Sequence, residues 1–340
     1  MLKRFIAQVV EGINLTQEEA AQAMAAMMSG EALPTQIAAL LTALRMKGES
    51  SQEITGMAQV MREKAIPITG LKEEIIVDTC GTGGDGRGTF NISTAVAFVA
   101  AGGGLTVAKH GNRSVSSQCG SADVLEALGV NLAMSPAKVA RALKEIKIAF
   151  LFAPLFHPAM KHALAPRREI GIRTIFNLLG PLTNPARATV HLLGLYSPHL
   201  LLLICQALKN LGSRAAFVVH GEDGSDEISI TGKTTVYHLR NGEISNFQIE
   251  PEELGLKRAS LKDIQGGSAE RNAQIMRAVL RGERGPYREA VLINAAAVFV
   301  AAGQAGHLAE GIKIAQEVID SGQALKKLNE LIQFSQTKEE

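Results

Sequence analysis

The spacing of hydrophobic positions changes near residue 74. Before that point only helix signals occur. Met1 to Val10 reads as a short amphipathic helix interrupted by Glu11 and Gly12. Thr16-Gln-Glu-Glu19 is a capping box, Ala20 to Met28 is apolar, and Ser29-Gly30 stops the run. Pro34 opens a segment over Ile37 to Met46 that Gly48 ends, and Ser50 to Glu53 starts a further helix towards Lys64. Helices this short leave apolar faces to cover, so Ala23, Met24, Met27 and Met28 belong either to an intramolecular core or to a dimer or domain contact.

From Glu74 strand patterns alternate with helix patterns, which predicts a parallel sheet with crossover helices. The expected strands are Ile75–Asp78, Leu105–Ala108, Ala149–Phe152, Val190–Leu195 and Ala215–Val219, with helices over 93–101, 121–128, 136–146 and 198–211. Thr235–Leu239 and Ile244–Ile249 flank Arg240-Asn-Gly-Glu243, an Asn-Gly turn that predicts an antiparallel hairpin. Four helices follow from Ser268, with stops at Gly303 and Gly322. The stretch Pro154 to Pro185 holds five prolines, a basic cluster and a helical-looking Pro158–Glu169. It is expected to cross back to the helical part and leave a cleft between domains, where small-molecule sites concentrate. The expected fold is α/β: a small all-helical domain (1–70, joined by a returning segment, about 155–185), and a large domain (71–154 and 186–340) with a mainly parallel central sheet and C-terminal helices.

Chemistry concentrates in Asp78 to Thr94, Asp-Thr-Cys-Gly-Thr-Gly-Gly-Asp-Gly-Arg-Gly-Thr-Phe-Asn-Ile-Ser-Thr, where a buried strand hands over to a helix. Gly81, Gly83, Gly84 and Gly86 allow backbone N–H groups to approach a ligand closely. Asn91, Ser93 and Thr94 stand at the helix start, where short polar side chains cap N–H groups and an anion is favoured. No Lys-Ser/Thr pair closes the loop, so it is not a Walker loop, and the glycine spacing is not that of a dinucleotide site. After the next strand comes Lys109-His-Gly-Asn-Arg-Ser-Val-Ser-Ser-Gln-Cys-Gly-Ser-Ala-Asp123, which puts two cations, an amide and several hydroxyls on the same sheet edge. Glycines on one loop and cations on the other suit a ligand with several phosphates.

Asp226-Glu227 follows the strand ending near His220, and adjacent carboxylates beside a polyphosphate site suit Mg²⁺. In Ala165-Pro-Arg-Arg-Glu-Ile-Gly171 an arginine offers a planar fork for a carboxylate, although such a run on a helix is also an ordinary solvated face.

These segments resemble anthranilate phosphoribosyltransferases. The resemblance rests on Gly81-Thr-Gly-Gly-Asp85, Asn91-Ile-Ser-Thr94, Lys109-His-Gly-Asn-Arg113, Gly120 to Gly129, Phe156 to Lys161, Gly171 to Pro185 and Asp226-Glu227, and spans nearly the whole chain. It implies a fold like that of nucleoside phosphorylases and phosphoribosyltransferases. The implied activity is transfer of the phosphoribosyl group from phosphoribosyl pyrophosphate to the amine of anthranilate, a step of tryptophan biosynthesis. It assigns the phosphoribosyl pyrophosphate to Gly81, Gly84, Asp85, Thr89, Asn91, Ile92, Ser93 and Thr94 on the first loop. On the second it assigns Lys109, His110, Gly111, Asn112, Arg113, Ser114, Val115, Ser116, Ser117 and Ser121. Anthranilate falls to Gly81, Asn112 and Arg167, with Arg168 a structural neighbour, and Mg²⁺, two ions per subunit, to Asp226, Glu227 and Ser93. His110 and His157 either line the acceptor pocket or are hydrogen-bonded structural residues. No residue is assigned as a covalent or acid–base catalyst. The family usually has Leu where this chain has Ser225. A homodimer through the N-terminal helices is also implied.

Composition bounds the alternatives. A net charge of +2 over 340 residues gives no support to a nucleic-acid or membrane-surface role. Cys80, Cys119 and Cys205 are few, odd in number and widely spaced, as expected of packed thiols in a reducing compartment, and the longest apolar runs fall short of the ~20 residues that span a bilayer. No secretory signal is evident, so a cytoplasmic location is expected. Two rivals are a pyrimidine-type nucleoside phosphorylase and a non-catalytic nucleic-acid-binding relative. The first lacks the acidic pair and has an extra C-terminal domain. The second calls for a basic stripe, whereas Lys144, Lys147, Lys257, Arg258 and Lys262 are scattered.

Overall fold

A computed structural model describes residues 2–71, 75–114 and 118–338. One sheet is built from β1 (Ile76–Thr79), β2 (Thr106–Gly111), β3 (Ile148–Phe152), β4 (Val190–Gly194), β5 (Ala215–Gly221), β6 (Thr234–Arg240) and β7 (Glu243–Ile249). Their spatial order is β3-β2-β1-β4-β5-β6-β7, parallel from β3 to β5 and antiparallel through β6 and β7. All expected strands are present. In the β6–β7 turn Asn241 and Gly242 both have positive φ, 52° and 80°, as a tight Asn-Gly hairpin requires.

One strand end needs correction. Leu105–Ala108 was expected to give way to a loop at Lys109, but β2 continues to Gly111, with Lys109 opposite Phe150 and His110 opposite Leu151. Lys109 and His110 are therefore buried strand residues, placed rigidly by the sheet.

β1 lies between β2 and β4, so the chain winds outward in opposite directions on either side of the β1–β4 pair. A crevice at the carboxyl ends of such a pair is where open α/β sheets take ligands.

Alternation along the strands feeds two cores. Ala215, Phe217 and Val219 of β5 join the cluster that contains the helices Ile92–Gly102 and Pro286–Ala301. Ala216 and Val218 join the other, with the helix Leu201–Asn210 and the N-terminal helices. The C-terminal third forms the four expected helices, Ala269–Leu280, Pro286–Ala301, Leu308–Asp320 and Gln323–Gln336.

The N-terminal helices are Leu2–Val10, Gln17–Ser29, Pro34–Lys47 and Ser51–Lys64, and capping boxes start the second and fourth at Thr16 and Ser50. Ala23, Met24, Met27 and Met28 point into this chain's own core, with Ala163, Ile175, Leu178 and Leu179 of the crossing-back segment in the same cluster. They are not available to a second copy. Pro158–Glu169 is split into a short 3-10 turn, Pro158–Met160, and an α-helix, Lys161–Ile170.

Glu53 ties this bundle together. Its fully buried carboxylate accepts from Leu15 N (3.0 Å), Ser50 N (2.7 Å) and Lys47 Nζ (3.0 Å). Removing the carboxylate leaves the buried Leu15 N–H without its acceptor and opens the Ser50 capping box, while Lys47 Nζ keeps Asn14 Oδ1 and Gly48 O, so Glu53→Ala is expected to destabilise by about 1–3 kcal/mol. Chemical denaturation checks this; a loss below about 1 kcal/mol refutes it.

Candidate active site

The glycine loop leaves β1 and runs across the ends of β4 and β5. Thr82 N donates to Gly194 O (2.9 Å), Tyr196 N donates to Thr82 Oγ1 (3.2 Å), and Gly83 N donates to Asp226 Oδ2 (2.7 Å). Gly83 and Gly84 take φ of 64° and 69°, a consecutive left-handed pair that side chains rarely adopt. Arg173 Nη2 donates to Gly84 O.

Two further groups close on the same point. Lys109 Nζ donates to Thr79 O and to Ser93 Oγ (3.3 Å), and Glu227 Oε1 accepts from Ser93 N (3.2 Å). A carboxylate at the first turn of a helix is favoured there by the helix dipole. The capping expected of Asn91 is thus supplied from a distant strand end. The Asn91 side chain makes no cap and instead joins Cys119 O (3.1 Å) and Asn272 Nδ2 (2.9 Å), while Thr94 Oγ1 is buried without a partner and Ile92 sits in the core. Thr89 lies further along, bridged to Gln265.

The carboxylates carry an electrostatic load. Loss of hydration pushes Asp226 up to about 6, with repulsion from Asp85 second. Glu227 is pushed well above the usual carboxylate range, again chiefly by burial and then by Asp226. Asp85 Oδ2 is buried with no hydrogen-bond partner. Acids crowded in this way fit a hard divalent cation. Among the described residues no three His, Cys, Asp or Glu converge as a ready-made cage. Two carboxylates completed by water and ligand oxygens is the arrangement Mg²⁺ favours.

The second loop begins at Gly111. Asn112 is exposed, and its Oδ1 accepts from Arg113 N (2.8 Å). The Arg113 fork is taken by Glu126 (2.8 and 2.9 Å) and Asp123 (3.0 Å). Ser114 N also reaches Asp123 Oδ2 (3.1 Å), and Ser121 Oγ reaches Asn112 O (3.4 Å). Val115, Ser116 and Ser117 lie outside the described residues.

Towards the helical part, Arg167 lies over the Phe176 ring at 4.8 Å, while Arg168 is exposed. Burial lowers the Arg167 pKa. His110 and His157 are buried with ring centroids 5.2 Å apart, lowered by burial to about 3 and about 4, hence neutral at pH 7. His110 Nδ1 meets Gly180 O (3.2 Å); His110 Nε2 and both His157 ring nitrogens have no partner. Among the described residues no hydrogen bond joins Asn112 to Arg167, so that pair is not brought together as the glycine loop and the acids are.

Two family models match the chain: the helical bundle domain of a glycosyl transferase family over residues 3–65 and its a/b domain over residues 73–325. The chain is 58% identical to the anthranilate phosphoribosyltransferase of Moorella thermoacetica, covering 98% of both chains, and 53% identical to that of Petrotoga mobilis, covering 98% and 97%. The crystal structure of the enzyme from Thermus thermophilus superposes with a TM-score of 0.93 at 46% identity, covering 98% and 99%. The chain belongs to the anthranilate phosphoribosyltransferase family. The Saccharomyces cerevisiae enzyme, in complex with PRPP and Mg, matches with a TM-score of 0.90 at 31% identity, covering 98% and 97%.

The structural role of Asp78 was not legible in the sequence. Asp78, raised by burial to about 6, accepts from His110 N (3.1 Å) and Asn184 Nδ2 (2.7 Å), fastening β1, β2 and the crossing-back segment together. Ser225 is buried in the acidic turn; its Oγ donates to Asp223 Oδ1 (2.6 Å), and Ser229 Oγ donates to Asp223 Oδ2 (2.7 Å). A hydroxyl at this position is accommodated by Asp223. Asp78 closes the expected strand Ile75–Asp78, whereas β1 runs on to Thr79, and its partner Asn184 lies 106 residues away.

Proposed function

We propose that the chain transfers the phosphoribosyl group of phosphoribosyl pyrophosphate to the amine of anthranilate, giving N-(5-phosphoribosyl)anthranilate and pyrophosphate in tryptophan biosynthesis. The observation that carries this is the meeting of the Gly83 N–H, the Lys109 ammonium and the Asp226-Glu227 pair at the β1–β4 switch point. Asp226 and Glu227 would hold Mg²⁺, with a second ion at Ser93, and the metal would supply charge neutralisation for the pyrophosphate.

The chain's own groups do the rest. Within Gly81 to Asp85 the Thr82 and Gly83 N–H groups are taken by Gly194 O and Asp226, which leaves those of Gly81, Gly84 and Asp85, with the Lys109 ammonium, for the negative charge that gathers on leaving pyrophosphate. Lys109 is fixed in a buried strand, so little reorganisation is needed when that charge forms. The first loop through Thr94 and the second from His110 to Ser121 enclose the phosphoribosyl group. Arg167 receives the anthranilate carboxylate, with Gly81 and Asn112 beside the amine. That amine has a free lone pair at neutral pH, so positioning is what it needs. Neutral His110, with Nε2 unpartnered, and neutral His157 suit a pocket wall for an aromatic acid.

Mixing both substrates with the protein and Mg²⁺ is expected to release pyrophosphate. Release that is equally fast without anthranilate, or absent with it, refutes the assignment. Arg167→Ala removes a bidentate charge-assisted contact of about 1.5–3 kcal/mol, so KM for anthranilate is expected to rise by about 10- to 100-fold with little change in that for phosphoribosyl pyrophosphate. Steady-state kinetics in both substrates separates the two.

The same family membership supports a cytoplasmic homodimer and a division into residues 1–70 with about 155–185, and 71–154 with 186–340. No helix is long and apolar enough to cross a membrane. The N-terminal helices leave an apolar groove lined by Val9, Val10, Ala38, Ala39 and Met46, and Met46 is 83% exposed. Met46→Glu is expected to shift the sedimenting species from dimer to monomer at micromolar concentration; an unchanged dimer excludes this face.

A further inference from the structure

We infer that Arg173 is a positioning residue that couples the two substrate sites, tying the segment that carries the anthranilate-binding arginine to the glycine loop that binds phosphoribosyl pyrophosphate. This rests on the proposed function for the two sites and adds a connection between them.

The two arginines lie six residues apart on one stretch of chain, at the junction of two helices. Arg167 is in the last turn of the helix Lys161–Ile170, which ends at Gly171 in the left-handed region, φ 64°. Two residues on, Arg173 precedes Thr174, the start of the next helix, Ile175–Leu179, which Asn177 Oδ1 locks by accepting from Thr174 N (3.0 Å). Phe176 of that helix lies beneath the Arg167 guanidinium. Arg167 cannot shift far without carrying Arg173 with it.

Arg173 reaches across 89 residues of sequence to the Gly84 carbonyl. Its guanidinium stacks on Tyr196 at 4.1 Å from the ring centroid, and Tyr196 N is itself fastened to Thr82 Oγ1. The fork therefore rests on one platform that belongs to the glycine loop's own anchor and grips the loop one residue beyond the Gly83–Asp226 bond. A planar, stacked guanidinium is the side chain suited to this; an ammonium has no flat face to stack. Ordering the loop around one ligand thereby orders the turn that holds Arg167, and the free energy of that ordering is shared between the two ligands.

The coupling is measured with benzoate, which keeps the carboxylate and has no amine to react. Its dissociation constant is determined by calorimetry with and without saturating phosphoribosyl pyrophosphate and Mg²⁺. In the unaltered protein the two values are expected to differ by about 5-fold or more. In Arg173→Ala the ratio is expected to fall to within about 2-fold of unity, and in Arg173→Lys to an intermediate value. A merely structural residue would lower the active fraction and leave the ratio in place. An Arg173→Ala variant that keeps the full ratio overturns the inference, as does an unaltered protein that binds both ligands with no coupling. An unaltered protein that binds neither ligand overturns the proposed function instead. Should Arg173→Ala fail to fold, Tyr196→Leu removes the stacking surface and is held to the same criterion.

Discussion

Asp226→Asn is expected to lower pyrophosphate release by about 100-fold or more, and at the same time to raise the melting temperature of the metal-free protein at neutral pH. The two effects have one cause. The asparagine oxygen can still accept from Gly83 N, so the loop keeps its anchor. What disappears is a negative charge, and with it most of the attraction for a divalent cation. That same charge is a burden in the metal-free state, because burial and Asp85 hold the Asp226 pKa near 6, above its ordinary 3.8. An acid whose folded-state pKa is raised leaves stability intact below the unfolded value and takes it away as pH climbs through the folded one. Metal-free protein is therefore expected to lose stability between about pH 4 and pH 6, a loss to which Glu227 adds in the same direction. Added Mg²⁺ should raise the melting temperature more at pH 7.5 than at pH 5, and Asp226→Asn should flatten that difference. Thermal denaturation across pH, with and without Mg²⁺, reads all three. A variant as active as the parent, or less stable without metal at pH 7.5, removes the acidic pair from the metal site.

What the sequence disclosed was governed by distance along the chain. The glycine loop, the Asn241-Gly242 turn, the capping boxes at Thr16 and Ser50 and the four C-terminal helices are set by neighbours within a few residues, and each was legible. Lys109 and His110 looked like loop residues because a cation and an imidazole are poor candidates for a buried strand. Their burial is sustained by Thr79 O, Ser93 Oγ, the Asp78 carboxylate and Gly180 O, all contributed by other elements. Asn91 had the composition of a cap, yet Glu227, 134 residues beyond Ser93, does the capping. The methionine stripe Met24, Met27 and Met28 has a helical period whether it meets its own chain or another. Only the packing of Ala163 and Ile175 to Leu179 decides for its own. The acidic pair and the glycine loop were singled out separately; that they share one hydrogen bond is a property of the sheet order.

Gly194→Ala is the substitution expected to do the most damage for the fewest atoms. Gly194 ends β4, pinned between β1 and β5, and its carbonyl accepts from Thr82 N. A Cβ built there falls 1.5 Å from Asp226 O and 2.3 Å from Asp226 C. Both are backbone atoms, so no rotamer relieves the contact. Either the central strand or the acidic turn must move by more than 1 Å. Moving the strand breaks pairing on both of its edges, whereas moving the turn displaces the Asp226 carboxylate and the Gly83 N–H it anchors. Overpacking of this kind typically removes about 1–3 kcal/mol and more where the clash is with backbone, and a 1 Å misplacement of reacting groups typically lowers rates by about 100-fold. Both losses are expected together, measured as a lower denaturation midpoint and a fallen kcat. Gly81→Ala provides the graded comparison, since its Cβ meets Asp226 Oδ2 at 2.5 Å and a side chain can give way where a backbone cannot. Its activity should fall while its denaturation midpoint stays close to the parent's. If Gly194→Ala instead kept both midpoint and rate, the close approach of β4 to the acidic turn would not be a requirement of the site.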